Sequence, residues 1–365
     1  MVRNEAMMIP AFLDQIREFF DISIFLDHSS TDCTPKIIRD HILNTQGVES
    51  AKLYHLVSEG QPQMEVSNFF ARKLFNDYNV DYVFLLDRDE FLPFGNRMEL
   101  EHFLQRVNSN SAFEEIYYKW RNLCPEFLDG KKDILKNKFY LSKKNEKQST
   151  KIILTKAILK DDDWQLVQGN HYVVHGKGNK IISVIDNSIE LYHIPIQSYN
   201  KFMLKLMAGS LRLRLEKKLL SKGLGAHWDT LNSKISRLGI DYDEILSYSM
   251  GYPDKGEVDD VVFLNFNFPY IKTPIIETDG ILSSLLQGMM NQVSRVGLDT
   301  DNITLLEENK SDHEKLPCDF DAKKYLSLNP DVLNSVFNPE FHYMRYGFDE
   351  GRAYANKPQD TGLIA

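Results

Sequence analysis

Hydrophobic positions in the first hundred residues alternate between helical and strand spacing. Phe12, Leu13, Ile16, Phe19 and Phe20 recur at helical intervals behind Pro10, a residue favoured in a first turn. Residues 22–26 form a short apolar run of strand length. Thr34-Pro35 opens a second helix with Ile37, Ile38, Ile42 and Leu43 on its apolar face. Residues 53–57 read as a strand, and Val66, Phe69, Phe70, Leu74 and Phe75 mark a third helix. Residues 82–86 are the most strand-like run in the chain. Strands alternating with helices predict a parallel, doubly wound α/β sheet.

The pattern is less regular further on. Strands are expected at residues 115–120, 151–154, 172–174 and 181–185, and a polar, lysine-rich exposed loop at 131–150. A long helix is expected over residues 198–220, with Lys and Arg on its outer faces. Residues 255–305 mix short apolar runs with turns and give no assignment. The charged stretch 307–318 reads as a linker, and residues 319–354 as a small module of short helices.

At roughly 150 residues per domain, 365 residues suggest about two domains, enough to bury a core without staples. With 43 Lys+Arg against 52 Asp+Glu the net charge is −9, which argues against nonspecific nucleic-acid binding. Cys33, Cys124 and Cys318 lie far apart and suit neither a metal cluster nor a disulfide framework, so a reducing compartment is expected. No apolar run approaches the ~18 residues of a membrane span, and Glu5, Asp14 and Arg17 break any signal-peptide pattern.

Three polar loops carry candidate chemistry. Asp87-Arg88-Asp89-Glu90-Phe91 follows the strongest strand. Two carboxylates at i and i+2 suit a hard divalent cation that also binds substrate phosphates, and strand ends are where open α/β sheets bind ligands. The competing reading is a solvated acidic turn. Asp27-His28-Ser29-Ser30-Thr31-Asp32 follows the first strand, and serves equally as a turn with a helix cap. Arg3-Asn4-Glu5 precedes the first helix and, taken singly, is an ordinary charged terminus.

Taken in order, these loops resemble the motifs of family 2-type glycosyltransferases, closest to the bacterial branch with R-N-E, D-x-x-S-T-D and D-x-D-E-F. The likeness runs over residues 1–230 and is strongest in the first 95. Lys151-Ile152-Ile153, Gly169-Asn170-His171, His193-x-Pro195-x-x-Ser198 with Phe202 and Lys205, and Gly225-x-His227-Trp228 extend it.

The resemblance implies a GT-A fold: Rossmann-like, doubly wound, with a mostly parallel sheet and here a helical C-terminal extension. It implies a nucleotide-sugar donor such as a UDP-sugar, a glycan or glycoconjugate acceptor, and Mn²⁺ or Mg²⁺. Carried over by position, Arg3, Asn4 and Glu5 line the nucleotide pocket with Ser29, Asp32 and Arg88, and Asp27 contacts the base. Asp87 faces ribose or metal, and Asp89 binds the metal. His193 or His171 completes the metal shell, and Lys201 or Lys205 holds the diphosphate. An inverting transfer needs a base near the acceptor hydroxyl. His171 and Asp163, in the triplet Asp161-Asp162-Asp163, are the candidates. Trp120 and Arg121 are candidates to shape the sugar site.

Residues 1–230 are thus expected to form the catalytic domain, 231–306 an extension, 307–318 a linker and 319–354 the module. The module resembles one attached to bacterial glycosyltransferases and surface-polysaccharide proteins, through Y-L-x-x-N-P-D-V and H-Y-x-x-x-G-x-x-E-G-R at residues 325–352. A protein partner would bind through it; otherwise Tyr325, Phe341, Tyr343 and Tyr346 form a mini-core or a sugar-stacking face. The expected location is cytoplasmic, reaching a membrane through partners. An apolar strand is expected ahead of Arg3-Asn4-Glu5, where only Met1 and Val2 stand, and its loss would leave neighbouring strand edges unpaired. The alternative to an enzyme is a degenerate GT-A domain that binds nucleotide or glycan for assembly. A sugar-nucleotide pyrophosphorylase would want a glycine-rich phosphate loop near the N-terminus, which the sequence lacks.

Overall fold

In a computed structural model, the structure describes residues 1–44, 51–58, 62–108, 113–142, 150–176, 183–215, 231, 234–235, 242–250, 261–277, 303–335 and 337–355. Elements follow as α1 Ile9–Phe19, β1 Ser23–Asp27, α2 Thr34–Asn44, β2 Ala51–Val57, α3 Gln63–Asp77, β3 Tyr82–Phe84, β4 Glu90–Phe91 and α4 Arg97–Val107. Then come β5 Glu115–Asn122, β6 Cys124–Pro125, β7 Lys138–Ser142, β8 Thr150–Thr155, β9 Gln165–Leu166, β10 Val173–Val174, β11 Ser183–His193 and α5 Tyr199–Leu215. A helix at Tyr242–Met250, β12 Val261–Asn265 and β13 Thr304–Glu307 precede the C-terminal helices. The class is α/β, and the first six elements stand where hydrophobic periodicity puts them. Among the described residues no helix is long and apolar enough to cross a membrane.

The chain falls into two compact units. The first comprises Met1–Asn4, Ile22–Gly60 and Gly297–Ala365. Its sheet runs β1-β2-β13, with β1 and β2 parallel across the α2 crossover and β13 antiparallel on β2. Val2 adds a parallel bridge to Asp27 on the other side of β1. Within the C-terminal part, Tyr325, Val332 and Tyr343 form a small core under Phe320, Leu316 and Tyr354. Tyr325 and Tyr343 are fully buried there, so the module's aromatics build a mini-core.

The stretch 307–318, expected as a linker, begins inside this sheet and continues as a short helix. Glu307 ends β13, opposite Tyr54, and Lys310–His313 is helical. Its charges are matched by protein partners: Lys52 and the Tyr54 hydroxyl bind Glu307, and Arg39, His55 and His313 converge on buried Glu308.

The second unit comprises Glu5–Asp21 and Gln61–Val296. Its main sheet runs β3-β8-β5-β11-β4. Only β5 and β11 pair in parallel there; β8 runs antiparallel to both neighbours and β4 antiparallel to β11. The sheets are therefore mixed, which corrects the expectation of a mostly parallel one. A strand buried on both faces, such as the Ile152-Ile153-Leu154 run, looks the same in either direction. One core lies between this sheet, α1 and α4, with Phe19, Phe91, Phe103, Ile116 and Tyr118. A second lies under α3, around Phe75, Ile152, Leu154 and fully buried Trp164.

Two further differences concern residues 131–150 and 97–107. The expected loop contains β7, which buries Phe139 and Leu141 and pairs with β6 and β12. Helix α4 was not anticipated, although Leu100, Phe103, Leu104 and Val107 follow helical spacing and Asn96 caps it by accepting from Glu99 N. The Gly225-x-His227-Trp228 motif and residues 143–149 lie outside the described residues.

Candidate functional site

The Asp87–Phe91 segment is a turn leaving β3 that enters the short strand β4. Strand β11 runs beside it, pairing His193 with Glu90 on one side and with Asn122 of β5 on the other. Ile194 N donates to Asp89 O at 2.9 Å, which ties this end of β11 to the acidic turn. The sheet register therefore brings Asp89, Asn122 and His193 together.

Asp89 is almost completely buried. Its Oδ2 lies 2.8 Å from Arg88 Nη1 and 3.7 Å from His193 Nε2. Neither carboxylate oxygen receives a well-directed hydrogen bond, which a buried carboxylate ordinarily requires. Burial alone would raise its pKa, but Arg88 foremost, with Lys205, holds it well below the usual carboxylate value, so Asp89 is an anion.

His193 faces that anion as a neutral ring. Burial, with Lys205 and Lys151 nearby, takes its pKa down to about 4 against the pull of Asp89. Its Nδ1 lies 2.7 Å from Asn122 Oδ1, and Asn122 Nδ2 donates to Met250 O at 3.1 Å. The amide orientation is thereby fixed, so His193 Nδ1 carries the proton and the Nε2 lone pair points toward Asp89. Two electron-rich groups confronting one another in a buried site make a slot for a cation. Trp120 stacks on the His193 ring at 4.0 Å and 29°, fixing its plane.

Positive charge surrounds the slot. Arg88 Nε lies 2.8 Å from Glu5 Oε1, and Lys201 Nζ pairs with Glu5 Oε2. Arg88 and Lys201 lower the Glu5 pKa despite burial, which acts to raise it. Ser198 Oγ accepts from Lys201 N at 3.1 Å, capping the start of α5. Lys205 is four residues further along and so on the same helix face. Burial, then Arg88, lowers the Lys205 pKa. Arg88, Lys201 and Lys205 against Glu5 and Asp89 leave one net positive charge among these five side chains, suited to an anionic ligand.

Asp87 lies in a separate triad. Lys151, fully buried in β8, places Nζ 2.9 Å from Asp87 Oδ2 and 2.9 Å from Glu90 Oε1. One cation between two carboxylates neutralises only one. Burial pushes Glu90 up to about 8, whereas Lys151 pulls Asp87 down against its own burial. At neutral pH Lys151 and Asp87 are the charged pair and Glu90 keeps its proton. Lys151 as the anchor of Asp87 was not read from the sequence; a lysine opening an otherwise apolar strand run was the available signal.

The two base candidates part company. His171 sits 5.6 Å from the Trp120 ring, with Nδ1 2.8 Å from Thr150 O. That contact puts the proton on Nδ1, and burial lowers the pKa. Gly169 has φ +86°, and a Cβ there would stand 2.6 Å from His171 Cδ2, so glycine is required where this loop turns. Asp163 is exposed; its backbone N donates to Asp161 Oδ1. It is Asp161 that is buried, 2.8 Å from His175 Nδ1, while His175 Nε2 binds Glu115.

Burial opposes charge on His175, but Glu115 and Asp161 raise its pKa above the ordinary value. Its contribution to stability is therefore full below about pH 6.5 and lost as pH rises through the higher folded-state value. Chemical denaturation across pH should show the wild type's advantage over His175→Gln shrinking as pH rises above that point. A constant difference would remove His175 as the titrating group.

The first unit holds the remaining predicted residues. Asp27 is fully buried at the end of β1, its Oδ2 accepting from Ser30 N at 3.2 Å. Its Oδ1 is buried with no hydrogen-bond partner among the described residues. Asn4 Oδ1 accepts from Thr31 N at 2.7 Å, and Asn4 N donates to Ser30 Oγ at 3.0 Å, locking two of the loops together. Asn4 and Ser29 hold left-handed backbone, φ 54° and 55°, a strain that clusters in ligand loops. Asp32 Oδ1 accepts from Thr34 N at 2.9 Å and so caps the start of α2. Arg3 is half-buried.

Among the described residues no group of three or more His, Cys, Asp and Glu side chains is arranged to hold a metal ion. A cation held by one or two protein groups and a diphosphate needs no such cluster. Comparison of the chain with protein-family models and with curated proteins finds no match.

Proposed function

We propose that this chain is a metal-dependent, inverting glycosyltransferase of GT-A fold. It moves a sugar from a nucleotide-diphosphate donor to a glycan or glycoconjugate acceptor in bacterial polysaccharide assembly. One observation carries the reading: the buried, ionised Asp89 carboxylate confronts the fixed lone pair of neutral His193 Nε2 across 3.7 Å. These donors suit Mn²⁺ or Mg²⁺, with Asp89 and His193 as its protein ligands. When bound, the ion supplies Lewis-acid stabilisation of the charge developing on the leaving diphosphate.

The chain's own groups do the rest. Arg88, Lys201 and Lys205 bind and orient the diphosphate, and their charge counts most when the glycosidic bond has broken and the leaving oxygen carries the electron pair. Within the first unit, considered by itself, Asp27 Oδ1 is an acceptor open to a base N–H. His171, protonated at Nδ1, takes the acceptor hydroxyl's proton at Nε2; its lowered pKa keeps it neutral and able to do so. Trp120 forms an apolar wall against both histidines.

The test is calorimetric titration of UDP, then GDP, with and without Mn²⁺. Metal-dependent binding of one of them is expected, with transfer from the matching nucleotide sugar. Asn122→Ala should weaken Mn²⁺-dependent binding by about 10–100-fold, because the His193 tautomer loses its support. The Arg88 contact with Asp89 favours a second reading, a domain whose own cation fills the slot and which only binds nucleotide. Nucleotide binding indifferent to Mn²⁺ and EDTA, with no transfer, would establish it.

A further inference from the structure

The first unit contains a buried chain of contacts that leads from the C-terminal module to Asp27. Phe341 is fully buried, yet its ring does not join the core of Tyr325, Val332 and Tyr343. It lies on the ring of His55, centroids 3.9 Å apart and planes 31° apart. The neighbouring Glu340 places Oε2 2.8 Å from Arg39 Nη1. Arg39 extends from α2, nearly buried, and forks onto Glu308, with Nη2 3.2 Å from Oε2.

Glu308 is the hub. It follows β13 directly and takes Arg39, His313 Nε2 at 2.7 Å and His55 Nε2 at 2.6 Å. His55 stands on β2, paired with Asp27 on one side and Leu306 on the other. Its second nitrogen, Nδ1, lies 3.5 Å from Asp27 Oδ2. Burial disfavours charge on this ring, but Asp27 and Glu308 outweigh it and raise the pKa. His55 thus has a carboxylate at each nitrogen, which favours its charged form, and an aromatic face above it. The groups facing it are Asp27, Glu308 and Phe341, with Arg39 and His313 one step away through Glu308 and Glu340 one step further through Arg39.

We propose that the C-terminal module is a positioning part of a base-binding site within the first unit: Phe341 and Glu340 fix His55, and His55 fixes the Asp27 carboxylate for a nucleoside base. The unpartnered, buried Asp27 Oδ1 is the atom left for the ligand. Engaging Oδ2 with Ser30 N and His55 Nδ1 leaves one oxygen in one direction, which pre-organises the acceptor before ligand arrives. Phe341 is the keystone, since it can stack on His55 only while the module is docked. His55 is a positioning residue and touches no reacting atom. The inference rests on the glycosyltransferase reading for the identity of the ligand, but the linkage itself does not.

The test uses the full-length chain and two readouts. Calorimetry with UDP and GDP in the presence of Mn²⁺ measures affinity, and nitrogen-detected NMR follows the His55 ring through a pH titration. Phe341→Ala, and the milder Glu340→Gln, should each lower nucleotide affinity, about 5-fold or more for Phe341→Ala. Both should also shift the pH at which His55 loses its proton, Glu340→Gln downward because a nearby negative charge is removed. His55→Asn retains a donor beside Asp27 but not the link to Glu308. It should lower the affinity at least as much as Phe341→Ala and make it insensitive to Phe341→Ala. A module variant that folds, and changes neither affinity nor the His55 titration while Asp27→Asn weakens binding, overturns the proposal. Should the wild type bind neither nucleotide while the His55 titration responds to Glu340→Gln, the linkage stands and the glycosyltransferase reading falls. A His55 titration indifferent to both module variants overturns the linkage whatever the chain binds.

Discussion

Replacing Asp89 by Asn is expected to abolish Mn²⁺-dependent binding of the nucleoside diphosphate, with a loss of at least about 100-fold. Removing the outer partner of a metal ligand already costs about 10–100-fold, and Asp89 would be a ligand itself. Turnover should fall on the order of 10³-fold, since the charge facing the leaving diphosphate is stabilised least when it is greatest. Asn keeps the shape and one oxygen, so the loss reports charge rather than a cavity. The fold should survive: Arg88 loses a partner at 2.8 Å but keeps Glu5, and Asp89 O still accepts from Ile194 N. Calorimetry with Mn²⁺ and with EDTA separates the two terms. If the wild type and Asp89→Asn bind equally with Mn²⁺, the slot between Asp89 and His193 is not the metal site.

How much of this site was legible varies from residue to residue. Asp87, Arg88 and Asp89 were marked by their place after an apolar run, and the structure sets them in the turn leaving β3. The helices α1, α2 and α3 were legible for the same reason: each buries one face, and one buried face writes a period into the sequence. Pairing leaves no such trace. Asn122 and His193 are 71 positions apart and meet because β5 and β11 run parallel in a given register. Nothing in either local sequence records that register. Nor does it record that β8 runs antiparallel, because residues such as Ile152 and Ile153 are equally buried either way.

Charge patterns misled in a consistent manner. The lysine-rich stretch at 131–150 reads as exposed, but strand β7 alternates, so Phe139 and Leu141 turn inward while Lys138 lies over the Phe263 ring of β12. Residues 307–318 read as a linker because the stretch is charged and closes on proline, yet Glu307 and Glu308 are paired within the fold. Their counter-charges, Lys52 and Arg39, come from more than 250 positions away. A local window sees the charge and not the partner.

Lys151 is the sharpest instance, and its removal should be the most destabilising change in the unit. Lys151→Met keeps most of the volume and the apolar stem, so packing in β8 is nearly conserved. What disappears is the cation that bridges Asp87 and Glu90. Breaking one partner out of a buried ion pair costs about 3–5 kcal/mol, because the remaining charge stays without compensation. Part of that cost is avoided if Asp87 takes up a proton, so the loss should be larger at pH 8 than at pH 5. Urea unfolding at the two pH values reads both effects. The decisive comparison is the triple variant Lys151→Met, Asp87→Asn, Glu90→Gln, in which no charge is left to strand. It should recover most of the stability lost by Lys151→Met alone, since a buried ion cluster replaced whole by neutral groups is often close to neutral in energy. It should not recover nucleotide binding, because Asp87 belongs to the motif turn. A triple variant no more stable than Lys151→Met would mean that Lys151 acts through packing. Recovery of stability would show that the cost of Lys151→Met is the stranded Asp87 charge and not lost packing.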